Sequence, residues 1–227
     1  MKLVEKNFLI YKLLNSSFTG LSIGIIFTIY EPIDPEVFSV GGMILALSLL
    51  VVAKFYERLL DIKSFFWITL FVEAIMLLTI VTFFALQYSL ASALLIYCGY
   101  QITFMFGGYL VRAETLVANR KDLLSKIDVN KQVGYFIGLG ASFLFYKACD
   151  TLMNVSDLEL LLEQLQASLE TPSLLSHEID VLQQEILEVV QQELESFKKE
   201  QISILHYFLI LLQSLIIFIA LRSFRVE

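Results

Sequence analysis

Charge, cysteine and histidine are all scarce in this chain of 227 residues. Only 17% of the residues are charged, against about a quarter in a soluble domain, so the polar surface that a water-soluble fold of this length needs is missing. The two cysteines stand apart, Cys98 inside one apolar block and Cys149 at the end of another. Neither has neighbours at metal-ligand spacing, so both read as small packing residues. The two histidines, His177 and His206, fall in different regions. An HExxH pair, a G-x-S-x-G elbow and a phosphate-binding glycine loop are absent as well. These absences argue against an enzyme and give no reason to expect a metal or a cofactor. Nucleic acid is disfavoured too, because the basic residues form short flanks beside apolar blocks rather than a patch.

What the chain has in excess is apolar residues, 57% of the total, with a mean hydropathy of +0.74. They come as long blocks, which a single small core cannot hide, and lipid is the natural solvent for them. A helix crosses the hydrocarbon layer with about 20 apolar residues and pairs its backbone groups internally. Six blocks fit: Leu13–Tyr30, Val37–Ala53, Ser64–Leu86, Tyr88–Val111, Gln132–Tyr146 and Gln201–Leu221. The fifth is short, but Lys131 and Lys147 at its ends can snorkel. The first follows Lys2, Lys6 and Lys12 as a secretory signal would, yet it lacks a small-x-small cleavage site and runs into acidic Glu31–Glu36, which makes it an uncleaved span.

Basic residues stay on the cytoplasmic side. With the N-terminus inside, 13 of the 16 lysines and arginines are cytoplasmic, and only Lys147, Lys198 and Lys199 lie outside. The expected fold is therefore an all-α, multi-pass bundle of six spans in the cell (inner) membrane, both ends cytoplasmic. Residues 1–147 carry the first five spans, 148–200 an acidic extracytoplasmic segment, and 201–227 the sixth span and tail.

The segment between the fifth and sixth spans is too long for a turn. Apolar residues recur three and four apart at Ala148, Leu152, Val155, Leu158, Leu162, Leu165 and Leu169, and again at Leu175, Ile179, Leu182, Ile186, Val190, Leu194 and Phe197. Two helical seams follow. Neither arm contains Gly or Pro, and Thr171-Pro172-Ser173 stands between them as a cap and first turn. The expectation is an antiparallel helical hairpin with its tip near Pro172. A variant breaks the first arm at Asn154, where Ser156-Asp157-Leu158-Glu159 fits a capping box. Eleven acidic residues from Asp157 to Glu200 make either a solvated face or a docking surface for a protein partner, with Leu165, Pro172 and His177 as candidate contacts.

Inside the spans only Glu73 is charged. An ionisable side chain there costs several kcal/mol unless it faces other helices or water. Counting about 1.5 Å per residue from Lys63 puts Glu73 near mid-membrane, with Gln101 of the fourth span and Thr19 and Gly20 of the first at similar depth. A structural carboxylate and a transport carboxylate are equally compatible with this. His206 and Gln213 are weaker candidates that read as packing or interfacial residues. Small residues recur as Gly20/Gly24, Gly41/Gly42, Gly107/Gly108 and Gly134/Gly138/Gly140, the first and last of these at the small-xxx-small spacing used for close helix packing.

The layout resembles one six-helix half of a major facilitator superfamily transporter. Asn15, Phe18, Gly20, Gly24, Phe27 and Tyr30, followed by Pro32, Pro35 and a glycine-bearing second span, are similar to that family's opening pair. Ala53–Arg58 sits where the family carries its Asp-Arg motif, so the resemblance implies that Glu57 and Arg58 belong to a cytoplasmic gate. The stretch with Arg112, Glu114, Asn119, Arg120, Asp128, Lys131, Gln132 and Gly134 is similar in style, and Arg112 and Glu114 join Glu73 and Gln101 as pathway candidates. The family works by rocking two such halves about a midplane site. A half-size transporter would act as a homodimer or with a second membrane subunit. The alternative is a non-transporting membrane scaffold whose hairpin binds a partner outside the cytoplasm.

Overall fold

A computed structural model describes residues 1–30, 33–86, 89–153, 155–170 and 177–225. Among the described residues the chain is all-α apart from one pair of two-residue strands. In order it forms β1 (Lys2–Leu3), α1 (Glu5–Tyr30), α2 (Pro35–Lys54), α3 (Tyr56–Leu59), α4 (Ile62–Leu86), α5 (Leu90–Ala118), α6 (Lys121–Met153), α7 (Val155–Glu170), α8 (His177–Arg222) and β2 (Phe224–Arg225). Two compact units result, one from Met1–Ser142 with His206–Glu227 and the other from Phe143–Leu205.

Local chemistry sets the helix ends. α2 starts with Pro35 in its first turn, where a missing N–H is harmless. Asp61 precedes α4, accepting from the Lys63 and Ser64 amides at 2.7 and 3.0 Å and from the Ser64 hydroxyl at 2.6 Å. Those bonds hold its carboxyl below the usual carboxylate range, the Ser64 hydroxyl contributing most. Ser89 and Ser92 cap α5 reciprocally, and Asn119 ends it in the left-handed region at φ 46°, which asparagine tolerates.

Four helical segments are long and apolar enough to cross a membrane: Pro35–Lys54, Ile62–Phe84, Leu90–Ala118 and Gln184–Arg222. The blocks Leu13–Tyr30 and Gln132–Tyr146 lie within α1 and α6. On α2 the side chains of Met43, Ile44 and Leu47 are 61%, 60% and 67% exposed. An apolar surface of that extent is made for lipid or protein, not water.

Small residues position the helices of the first unit. A Cβ on Gly138 would stand 2.1 Å from Ser17 O, one on Gly134 2.1 Å from Leu13 O, and one on Gly20 2.4 Å from Tyr135 O, so α1 and α6 meet backbone to backbone. Gly99 of α5 admits Thr79 of α4, and Gly41 of α2 admits Tyr97 of α5. Gly42, Gly107 and Gly140 face open space. β1 and β2 pair antiparallel, Lys2 with Arg225 and Leu3 with Phe224. Val4 N donating to Ser223 O at 2.8 Å and Asn7 Nδ2 donating to Arg222 O at 2.8 Å extend this clasp. Above it Phe8, Phe65 and Phe224 form a buried aromatic cluster with centroids 5.8–6.1 Å apart.

The second unit contains the end of α6, α7 and the first part of α8, with Asn154 outside the described residues. Leu158, Leu162 and Leu165 are the half-buried positions of α7, and Val190 is buried on α8. Leu160, Leu161, Ile186 and Val189 are exposed, at 55%, 43%, 41% and 62%. The expected tip at Pro172 and the side chain of His177 lie outside the described residues.

Candidate functional site

Glu73 is the centre of a buried polar cluster between α1, α4 and α8, 3% exposed. Its Oε1 accepts from Tyr11 Oη and Asn15 Nδ2, each at 2.6 Å. Tyr11 and Asn15 are four residues apart and share one face of α1. Gln213 Nε2 of α8 donates to Glu73 Oε2 at 2.7 Å and to the Glu73 main-chain oxygen at 2.9 Å. Among the described residues no lysine or arginine forms an ion pair with the carboxylate. Hydrogen bonds to a charged group return about 1.5–3 kcal/mol each, so three neutral donors offset a burial penalty of several kcal/mol per ion without a wide margin. A positive charge brought to this site would decide the balance.

A cavity of ≈ 180 Å³ adjoins the cluster. Tyr11, Lys12, Asn15 and Thr19 line it from α1, Glu73 from α4, Tyr100 and Thr103 from α5, and Gln213 from α8. Beside it lies an ion triad in which Glu114 of α5 bridges Lys12 of α1 and Lys131 of α6. Glu114 is 3% exposed and Lys12 8%. Lys12 Nζ also lies 5.3 Å from the Phe8 ring and 5.2 Å from the Tyr11 ring, at cation–π range. The triad ties α1 and α5, which both line the cavity, to α6, which does not.

No protein family, curated protein or solved structure matches the chain. What the site can do follows from its own chemistry: a single carboxylate with neutral hydrogen-bond donors around it, the Lys12 ammonium held by Glu114 at the edge, and a small cavity among apolar helices. Among the described residues, three or more His, Cys, Asp or Glu side chains nowhere converge as a metal cluster.

The sequence candidates separate in space. Glu73 and Glu114 both border the cavity region, Glu114 through Lys12. Gln101 lines a different space, an apolar groove of ≈ 560 Å³ between α2 and α5, shared with Gly41, Ser48, Tyr97 and Cys98. Its neighbour Tyr100 turns to the Glu73 cavity instead, since successive helical residues are rotated by about 100°. Thr19 lines the Glu73 cavity, whereas Gly20 contacts α6. Arg112 is exposed, its guanidinium 5.6 Å from the Tyr56 ring. Glu57 and Arg58 are exposed on α3 and form no ion pair among the described residues. The nearby α3–α4 turn is fixed by Tyr109, whose hydroxyl donates to Leu59 O at 2.7 Å.

Gln213, read from sequence as a packing residue, is fully buried and holds Glu73. His206 is buried and stacked on Phe83 at 3.9 Å. Tyr11, Lys12 and Lys131 carried no distinct signal as site residues. A lysine at the edge of an apolar block looks like any topology lysine, and only the i,i+4 spacing of Tyr11 and Asn15 hinted at a shared polar face.

Proposed function

We propose that this chain is a half-size secondary transporter of a small solute, similar in plan to one half of a major facilitator superfamily protein. In this reading α1, α2, α4, α5, α6 and α8 supply six membrane spans, the ends of the fifth and sixth extend outside as a helical hairpin, and both termini are cytoplasmic. The observation that carries it is Glu73: a carboxylate among apolar helices, held by donors from two other helices beside a cavity of ≈ 180 Å³. Structural polar networks in membranes seldom need an ionisable group, because amides and hydroxyls supply the same bonds at lower desolvation cost. The paired strands at the two termini support an even number of crossings. A dimer through the apolar α2–α5 face would bring two halves together.

The test is electrical. Proteoliposomes of the full chain on a solid-supported membrane are challenged in turn with amino acids, sugars, organic anions and organic cations. Wild type gives a transient current with one class, and Glu73→Gln, inserted in equal amount, gives none. A current that survives Glu73→Gln removes the carboxylate from the mechanism.

The second reading is a membrane scaffold whose hairpin docks a partner. The exposed apolar side chains of Leu160, Leu161, Ile186 and Val189 among acidic neighbours favour it. Under it, wild type gives no current with any solute class.

A further inference from the structure

We infer that the Glu73 cluster is a binding site for one alkali cation, with sodium as the ion to test, and that Gln213 switches its amide to receive it. The inference rests on the carrier reading for its purpose only, since it names the coupling ion; binding itself requires no transport.

Gln213 is fully buried, and while its Nε2 bridges Glu73 Oε2 and the Glu73 main-chain oxygen, its own Oε1 is buried without a hydrogen-bond partner. Thr69, one turn before Glu73 on the same face of α4, also has a buried Oγ1 with no partner and is 1% exposed. Buried acceptors are rarely left in that state. The Gln213 oxygen sits beside a carboxylate that pairs with no lysine or arginine among the described residues, and a positively charged partner would satisfy both, with Thr69 adding an unsatisfied hydroxyl one turn away on α4.

The place for it is defined by the amide. Nε2 lies 2.7 Å from one Glu73 oxygen and 2.9 Å from another, so it occupies a point between two acceptors where a bare cation would also be held. Rotation of the Gln213 amide by a half turn withdraws Nε2 and brings Oε1 to the same side. A carboxylate oxygen, a main-chain carbonyl and an amide oxygen then converge. Hard cations take such oxygen sets. The Glu73 carbonyl lies inside the continuous helix α4 and would offer the second lone pair that a main-chain oxygen carries.

Charge selects the valence. One carboxylate neutralises one alkali cation, whereas a divalent ion would leave a net positive charge in a low-dielectric cavity, where an uncompensated ion is strongly disfavoured. Lys12 does not substitute for the ion, because it is engaged with Glu114. A proton would satisfy the charge but needs only one acceptor.

The experiment uses the purified full chain in detergent. Sodium chloride is titrated against choline chloride at constant ionic strength while thermal unfolding is followed, and bound ²²Na⁺ is measured in parallel by equilibrium dialysis. A ligand that binds only the folded state raises the midpoint in proportion to the logarithm of its concentration above Kd. The expected result is a saturable sodium-dependent rise and bound tracer in wild type, both lost in Glu73→Gln, and sodium affinity at least tenfold weaker in Gln213→Leu. Identical behaviour in sodium and choline, with no retained tracer, overturns the proposal, as does a sodium response that persists in Glu73→Gln. A solute current in proteoliposomes without sodium binding would refute the cation site and leave the carrier reading standing. Sodium binding without any solute current would do the reverse.

Discussion

The contact between α1 and α6 can be tested with two alanines placed two residues apart. Gly138 lies against Ser17 of α1, and an added Cβ would sit 2.1 Å from Ser17 O and 2.8 Å from Leu21 N, whereas ordinary contact begins at 3.4 Å. The obstructing atoms are backbone and cannot rotate away, so Gly138→Ala must push the helices more than an ångström apart. Overpacking costs about 1–3 kcal/mol, and a backbone obstruction belongs at the upper end. Alanine also gains about 1 kcal/mol over glycine in a helix interior, which leaves a net loss of about 2 kcal/mol. At Gly140 a Cβ meets nothing within 4 Å, so Gly140→Ala should keep the whole propensity gain. The two variants should therefore differ by about 3 kcal/mol. At about 2–4 °C per kcal/mol for a chain of this size, their unfolding midpoints in detergent should be separated by roughly 6–12 °C, with wild type between them. Trp67 fluorescence reports the transition. Midpoints within a degree of each other, or Gly138→Ala above wild type, would show that the close approach of α1 and α6 is wrong.

Further tests follow from other contacts. Glu114→Gln removes the only carboxylate of the triad and leaves the Lys12 ammonium buried, which should cost about 3–5 kcal/mol; the double change Lys12→Met with Glu114→Leu should restore most of the lost thermal stability, and a double variant as weak as the single one would contradict the pairing. Asp61→Ala should cost about 1 kcal/mol at neutral pH through loss of the cap. Because the Asp61 carboxyl is held below its ordinary value by Ser64, its contribution is present above about pH 4 and is lost as the pH falls through the lower, folded-state value. The gap between wild type and Asp61→Ala in midpoint should thus close on acidification, and a gap that widens would reverse the assignment. Cys98 is exposed on the α2–α5 groove and Cys149 is buried, so a bifunctional maleimide applied to membranes should give a cross-linked dimer that disappears in Cys98→Ser; a dimer band that persists there would place the interface elsewhere.

The apolar blocks, the helical class and Glu73 were legible because each depends on composition along one segment. A lone charge within a long apolar run needs no partner to be noticed. The partners of Glu73 were not legible, since they depend on helix rotation and tilt that a count of rise per residue omits. By that count Gln101 shares the depth of Glu73, yet depth does not fix direction, and the turn of α5 sends Tyr100 to the cavity and Gln101 to the groove. The glycine spacing pointed to close packing, but only the three-dimensional arrangement distinguishes Gly134 and Gly138, pressed against α1, from Gly140, which faces open space. Lys12 and Lys131 served as topology markers in the sequence, and their second role as the arms of a triad is visible only once α1, α5 and α6 are assembled.

The termini bear on the carrier reading in a way that the site does not. Phe8 stands one turn before Tyr11 on α1, and its ring packs on Phe65 of α4 and on Phe224 of β2. The aromatic cluster therefore separates the strand clasp from the ring of donors around Glu73, and a solute approaching from the side of the termini would have to part it. The clasp that backs the cluster is small: two residues on each strand, one further main-chain bond from Val4, and one side-chain bond from Asn7. A few such bonds, at a net of about 0.5–1.5 kcal/mol each, can be broken and remade within the range that ligand binding supplies. The glycine contact between α1 and α6 has no such slack. On the carrier reading the two differ in kind: the first is weak enough to open, and the second is the rigid seam against which it opens.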